Sequence, residues 1–246
     1  MNVAVFGAAG WVGRAVLAHF AGRHTVRAFD RSPQAWDKYD ELDGAWDGEK
    51  RYGDMADFDA VDAAIEGCDG VVHLAAYFGY ENTPEYDTQP FLVNVKGLWN
   101  VLESARRRGV TRVVHMGSCM VEHPAGLFFD AEVRSPEGTL YGISKRLQEE
   151  MCRQFHDAFQ SRIIVFRPCS IVDSRLRVNR DFSPAGDPAG TGWVCRHDLA
   201  EGCHLALENE SVDFAVLHTA GNPAAEAHCN VRLSKELLGL EYRGQL

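Results

Sequence analysis

Short runs of apolar, β-branched residues alternate along the chain with longer stretches of helical spacing. Asn2 to Phe6, Thr25 to Asp30, Gly70 to Leu74, Arg112 to Met116 and Arg162 to Phe166 predict strands. The stretches at about Trp11 to Gly22, Met55 to Gly67, Asp87 to Gly109 and Thr139 to Phe159 predict helices, several closing on a glycine as a C-terminal cap would. The resulting order, β-α-β-α-β-α-β-α-β, is that of repeated βαβ units, so the fold class expected is α/β with a doubly wound parallel sheet. Strands covered on both faces read as continuous apolar runs, and Val3-Ala4-Val5-Phe6 and Ile163-Ile164-Val165-Phe166 do. Two segments break the alternation: Arg31 to Gly53, rich in Asp, Glu, Gly and Trp, and Pro168 to Gly192, rich in Pro, Gly and Arg. Both are expected to be loops over the carboxyl edge of the sheet, where ligands of such folds bind.

Composition narrows the picture. The 246 residues, 46% hydrophobic and 24% charged, suit one domain with a sizeable core. A net charge of −10, from 35 acidic and 25 basic residues, repels polyanions, so nucleic acid is not an expected partner. Met1 leads straight into a strand-like run, and no stretch approaches 18 apolar residues, so the expectation is a soluble, cytoplasmic protein with no membrane partner. The seven cysteines, Cys68, Cys119, Cys152, Cys169, Cys195, Cys203 and Cys229, are odd in number and never spaced C-x-x-C, which favours reduced, mostly buried thiols. Cys195, His197, Cys203 and His204 cluster in sequence, but their spacing fits no common zinc pattern and no metal is expected.

Candidate chemistry begins directly after the first strand. Gly7-Ala8-Ala9-Gly10-Trp11-Val12-Gly13 is spaced G-x-x-G-x-x-G and runs into a helix. The first glycine permits a tight turn, the second lets backbone approach a pyrophosphate, and the third lets the helix pack on the strand. The free amides and the positive end of the helix then face the phosphates. The second strand ends in Asp30, at the offset where a carboxylate accepts from a ribose diol. That carboxylate repels a 2'-phosphate and favours NAD over NADP; Arg31 could cover the adenine or, less favourably, meet a 2'-phosphate.

Tyr141-Gly142-Ile143-Ser144-Lys145 places a phenol and an ammonium four residues apart, on one face of a helix. A free phenol ionises near pH 10; bringing it to about 7 takes roughly 4 kcal/mol, part of which a nearby ammonium can supply. Y-x-x-x-K is common by chance, but here it follows the fourth strand, whose end carries Ser118, a hydroxyl placed to hydrogen-bond a reacting oxygen while Tyr141 exchanges its proton. Tyr141, Lys145 and Ser118 together predict a hydride-transfer site.

These residues resemble the extended short-chain dehydrogenase/reductase family, also called the NAD-dependent epimerase/dehydratase family, over nearly the whole chain. The resemblance includes Gly53-Asp54-Met55, like the family's adenine-contacting Asp-apolar pair. It also includes Val72-His73-Leu74-Ala75-Ala76, like its third-strand signature beside the cofactor, and Asn94-Val95-Lys96-Gly97 with Asn100-Val101-Leu102, like its central helix, whose Asn supports the site. Phe129-Asp130-Ala131-Glu132 and Pro136 resemble its approach to the catalytic helix, and Arg167-Pro168 and His197-Asp198-Leu199-Ala200 match further. The resemblance implies a Rossmann-type domain over residues 1–246, with about 168–196 and 220–246 forming a small carboxyl-terminal substrate lobe. It adds Asn94 to the catalytic set. It puts the cofactor on Gly7, Gly10, Trp11, Val12, Gly13, Asp30, Arg31, Asp54, Met55, Leu74, Ala75, Ala76, Tyr141 and Lys145.

Fewer than 80 residues follow Pro168, which favours a small substrate over a nucleotide sugar. Among short members the chain is similar to uronate dehydrogenases around Gly138 to Lys145, Arg167 to Ser170 and Trp193 to Leu199. It departs from them in having Cys119-Met120 where they carry Asn-His and the aromatic pair Tyr77-Phe78 where they offer a serine, so the pocket is expected to be more apolar. Substrate candidates are Tyr77, Cys119, Ser170, Arg175 and Arg177, with Arg180 a further cation able to clamp a carboxylate or phosphate. The reading is an NAD-dependent oxidoreductase acting on a small carbohydrate-like substrate. An NAD-dependent sugar or nucleotide-sugar epimerase and a non-catalytic NAD-sensing protein stay open beside it. A homodimer through the two long helices is expected, although Leu98, Val101 and Leu102 are equally explained by packing on the sheet.

Overall fold

Strands that lie between two layers of helices can bury every side chain only if nearly all are apolar, and the central strands meet that condition. β4 (Gly70–His73), β5 (Arg112–Met116) and β6 (Ile163–Pro168) are buried throughout, as is β1 (Asn2–Phe6) after its first residue. In the computed structural model, which describes residues 1–79, 86–122, 138–185 and 190–246, they join β2 (Thr25–Asp30), β3 (Glu49–Tyr52) and β10 (Phe214–Thr219) in a seven-stranded parallel sheet. The strand order is β10-β6-β5-β4-β1-β2-β3, so the chain winds outward from β1 and then crosses back to β4. That reversal leaves a crevice at the carboxyl ends of β1 and β4.

Helices cover both faces. α1 (Trp11–Phe20) packs along α6 (Arg196–Glu208) over one apolar cluster, which includes Val3, Val5, Ile164 and Phe166. α3 (Phe58–Ile65), α4 (Gly97–Arg108) and α5 (Leu140–Phe159) cover the other, built on Ala4, Phe6, Ile163 and Val165. α2 (Asp37–Asp43) and α7 (Val231–Leu238) lie at the periphery. The expected helix over Asp87 to Gly109 starts as a π-helical segment, Pro90–Lys96, before α4. Leu98, Val101 and Leu102 are buried against the sheet. None of the seven cysteines is in a disulfide, and five are buried. Among the described residues no helix is long and apolar enough to cross a membrane.

Two expectations need correction. Arg31 to Gly53 is not simply a loop: it holds a 3-10 turn at Pro33–Trp36, then α2 and β3. β3 is an exposed edge strand of sequence Glu-Lys-Arg-Tyr, and an edge carries charges rather than an apolar run. Pro168 to Gly192 likewise contains β7 (Ser170–Asp173) and β8 (Val178–Asn179), which with β9 (Trp193–Cys195) form a second, three-stranded sheet. Strands this short leave no periodicity to read. Phe129 to Glu132 and Pro136 lie outside the described residues.

Candidate active site

The loop between β1 and α1 is shaped by what its glycines exclude. Gly7 has φ +78, and a Cβ there would sit 2.7 Å from the Ala75 amide nitrogen; a Cβ on Gly13 would lie 2.3 Å from the Gly7 carbonyl. These two glycines let β4, the loop and α1 touch backbone to backbone. At Gly10 the nearest atom to an added Cβ is the Gly7 carbonyl oxygen at 3.2 Å, so its other side is open. Gly10 caps α1 with no side-chain bond, leaving the first-turn amides of Trp11, Val12 and Gly13 without intrahelical acceptors at the positive end of the helix. Asp30 borders the loop: its carboxylate accepts from the Ala9 amide at 2.9 Å and the Arg31 amide at 2.8 Å, and burial raises its pKa. An open glycine, uncapped amides and a ribose-accepting carboxylate fit a dinucleotide.

Other expected cofactor residues surround this cradle. Leu74, Ala75 and Ala76 follow β4, with the Leu74 amide bonded to the Phe6 carbonyl at 2.9 Å. Met55 is buried and its carbonyl accepts from Asn100 at 2.7 Å, whereas Asp54 is exposed and accepts from the Ala56 amide. Arg31 is exposed. The Trp11 side chain is committed elsewhere: its indole donates to the Ile171 carbonyl at 3.1 Å and the Arg196 guanidinium covers its ring at 4.2 Å. Trp11 therefore offers the cradle its backbone.

Thr139 caps α5, accepting from the Gly142 amide at 3.1 Å, and the first turns of that helix carry Tyr141 and Lys145. Ser118 follows β5 and hydrogen-bonds Tyr141; its oxygen also accepts from the Met120 amide at 3.2 Å. Lys145 is 2% exposed, donates to the Met116 carbonyl at 2.9 Å, and lies 5.6 Å from the Tyr141 ring centre. Burial lowers the Lys145 pKa to about 7. The expectation that a nearby ammonium acidifies the phenol meets a stronger opposing effect here. Tyr141 keeps some exposed surface, yet desolvation of its phenol raises the pKa above the ordinary value, and the Ser118 bond and the Arg180 charge only partly offset it.

Asn94, assigned to the catalytic set from the sequence, acts through its neighbours. Fully buried in the π-helical segment, its amide donates to the Tyr77 carbonyl at 2.9 Å and to Ser144 Oγ at 2.8 Å, and its oxygen accepts from the Tyr77 amide at 2.7 Å. Ser144 in turn donates to the Tyr141 carbonyl at 2.8 Å. Asn94 is thus a positioning residue that ties the segment after β4 to the turn bearing the phenol.

The open side of the phenol is aromatic and cationic. Phe78 stacks on Tyr141 with ring centres 5.0 Å apart, and Arg180 lies 4.2 Å over the Phe78 ring. Both were noted in the sequence, Phe78 in an aromatic pair and Arg180 as a cation for a carboxylate or phosphate, but not their contacts, which span more than 60 and 100 residues of chain respectively. Of the arginines expected in this region, Arg180 is the one stacked on the site. Arg175 and Arg177 are exposed; the Arg175 charge acts on His197, and Arg177 occupies a left-handed turn position at φ 56. Cys119 is buried, and its hydrogen bond with the Cys169 thiol together with burial pushes its pKa far up. Ser170 opens β7, half-buried, its amide bonded to the Gly192 carbonyl at 3.3 Å. Tyr77 is half-buried beside Asn94.

A glycine loop at the crevice of a parallel sheet, together with a Ser-Tyr-Lys group after β5 and on α5, is the arrangement of the extended short-chain dehydrogenase/reductase class. The chain belongs to the NAD dependent epimerase/dehydratase family, whose model matches residues 3–184. It is similar to the uronate dehydrogenase of Pseudomonas syringae pv. tomato, 28% identical over 86% of this chain and 71% of that protein. A 3 beta-hydroxysteroid dehydrogenase/Delta 5-->4-isomerase of Mycobacterium tuberculosis is 37% identical over 48% of this chain; the match spans about a third, 31%, of that relative's length. A crystal structure of uronate dehydrogenase from Agrobacterium tumefaciens, complexed with NAD, superposes with a TM-score of 0.74 at 26% identity, covering 98% of this chain and 84% of that one.

Proposed function

We propose that this chain is an NAD-dependent dehydrogenase that oxidises a hydroxyl-bearing carbon of a small carbohydrate-like substrate, a uronate being the leading candidate. The observation that carries the reading is the Ser118–Tyr141 hydrogen bond above buried Lys145, at the edge that also holds the glycine cradle. NAD, when bound, accepts the hydride and brings a positive charge that favours the phenolate. Tyr141, as the phenolate left when its own proton passes to water, would take the proton of the substrate hydroxyl, and Ser118 would exchange its bond with Tyr141 for one to the substrate oxygen. With its pKa near 7, Lys145 holds or releases a proton at little cost around neutrality. Phe78 shields the phenol from water, and Arg180 supplies the charge for a substrate carboxylate.

Asp30 at the loop supports NAD over NADP, since a 2'-phosphate would meet its carboxylate. The small sheet β7–β9 and residues 220–246 are proposed to shape the substrate lobe. Exposed Phe91, Leu92, Trp99, Leu147 and Phe159, on the π-helical segment, α4 and α5, support pairing as a homodimer. The test is NADH absorbance after mixing protein and NAD with uronates, aldoses and simple alcohols. Turnover confined to uronates is expected. NAD that binds without net reduction while the sugar epimerises would overturn the dehydrogenase reading, and full activity in Tyr141→Phe would remove the phenol from it.

A further inference from the structure

At the amino edge of the sheet, away from the cradle, two imidazoles and a carboxylate converge. His24 immediately precedes β2, while His204 and Glu208 sit four residues apart on α6 and so share a face. His24 Nε2 is 2.9 Å from His204 Nδ1, and Glu208 Oε1 is 3.9 Å from His24 Nδ1. One ligand atom from each of the three residues lies within 4.8 Å of the others. A hydrogen bond between the imidazoles uses one nitrogen of each ring but does not account for the rest. The His24 side chain is only 1% exposed, its Nδ1 is buried with no hydrogen-bond partner, and 3.9 Å is too long for a bond to Glu208.

An ion ligated by His24 Nε2 and His204 Nδ1 would replace the hydrogen bond between the rings and draw in the Glu208 carboxylate, while His24 Nδ1 would keep the ring's proton. With metal–nitrogen distances of about 2.0–2.1 Å, two imidazole nitrogens on one tetrahedral ion stand about 3.3–3.4 Å apart, so rings 2.9 Å apart need part by only about 0.5 Å to admit it. The field favours a cation as well. His19 lies in the last turn of α1 and Glu208 is the last residue of α6, so two helix carboxyl ends, each partly negative, meet here. The opposing charges are Arg23 and the amino terminus; the Arg23 guanidinium is engaged with the His19 carbonyl at 2.5 Å. The His19 ring centre is 5.6 Å from that of His204, which puts another imidazole beside the cluster.

We propose that His24, His204 and Glu208 bind a divalent transition-metal ion of the zinc type, clamping the turn before β2 onto α6. Two imidazoles and one carboxylate suit zinc, cobalt or nickel and not the all-oxygen demands of calcium or magnesium. The site is independent of the proposed dehydrogenase chemistry, which lies at the other edge of the sheet.

The test is calorimetric titration of the purified, reduced full chain with zinc, repeated on His204→Gln and Glu208→Gln. Glu208 is exposed, so its replacement leaves the fold intact; retained NAD binding checks both variants. The expected result is one zinc per chain, a raised thermal midpoint, and affinity weakened about tenfold or more in each variant. Cobalt should give a visible spectrum of nitrogen and oxygen ligation. No zinc binding, affinity unchanged in both variants, or a cobalt spectrum of thiolate ligation overturns the proposal.

Discussion

Arg196 and Lys145 are buried to nearly the same depth, 1% and 2% exposed, yet their surroundings treat them in opposite ways. Arg196 meets Asp43 through two bonds of 2.6 and 2.7 Å and Asp173 through one of 2.8 Å. Burial alone lowers its pKa, but the two carboxylates outweigh it and the net shift is upward. Lys145 has the Met116 carbonyl and no comparable carboxylate, so desolvation dominates and its pKa falls to about 7. Where the fold only needs a charge held, it is neutralised by partners. At Lys145, where the proposed mechanism moves a proton, burial is left undercompensated, the usual condition of working acid-base groups.

The comparison breaks most sharply by removing each cation. Lys145→Met should lower the rate of alcohol oxidation by about 10²–10⁴-fold, read from NADH absorbance, with no fall in thermal midpoint. A lower midpoint with the rate preserved would make Lys145 a packing residue. Arg196→Met leaves Asp43 and Asp173 buried without their partner and should cost about 3–5 kcal/mol in denaturant unfolding.

The contrast sharpens with pH. Folding lowers Lys145 from 10.5 to about 7, so between those values the unfolded chain binds more protons than the folded one. Its contribution to stability therefore rises with pH across that window, by at most about 1.4 kcal/mol per unit. Relative to wild type, Lys145→Met should flatten that slope in the cofactor-free protein, while Arg196→Met should leave it. The smallest effect belongs to the cap that starts the catalytic helix: Thr139→Ala should cost about 1 kcal/mol by chemical denaturation, with activity retained.

The glycine loop and the Tyr141–Lys145 pair were legible because each is encoded by near neighbours. Gly7, Gly10 and Gly13 form one turn, and Tyr141 and Lys145 share one helix face. Asp30 was found by its offset from the loop. β3 escaped notice because an exposed edge strand has no apolar pattern, and the small sheet because its strands run only two to four residues. The Phe78–Tyr141 and Arg180–Phe78 contacts and the approach of His24 to His204 and Glu208 were hidden for a different reason: each joins residues distant in the chain. His204 was weighed with Cys195, His197 and Cys203, its neighbours in sequence, whereas its partners in space are His24 and Glu208.

By itself the amino-acid sequence determined the parallel α/β architecture, the glycine turn between β1 and α1 and the placing of Tyr141 and Lys145 on one helix face, because periodicity, turn geometry and helical spacing act over a few residues. Tertiary structure alone decided which groups stay charged and what walls the pocket. Protonation follows from burial and long-range partners: the same depth that lowers Lys145 is reversed at Arg196 by carboxylates contributed from α2 and β7.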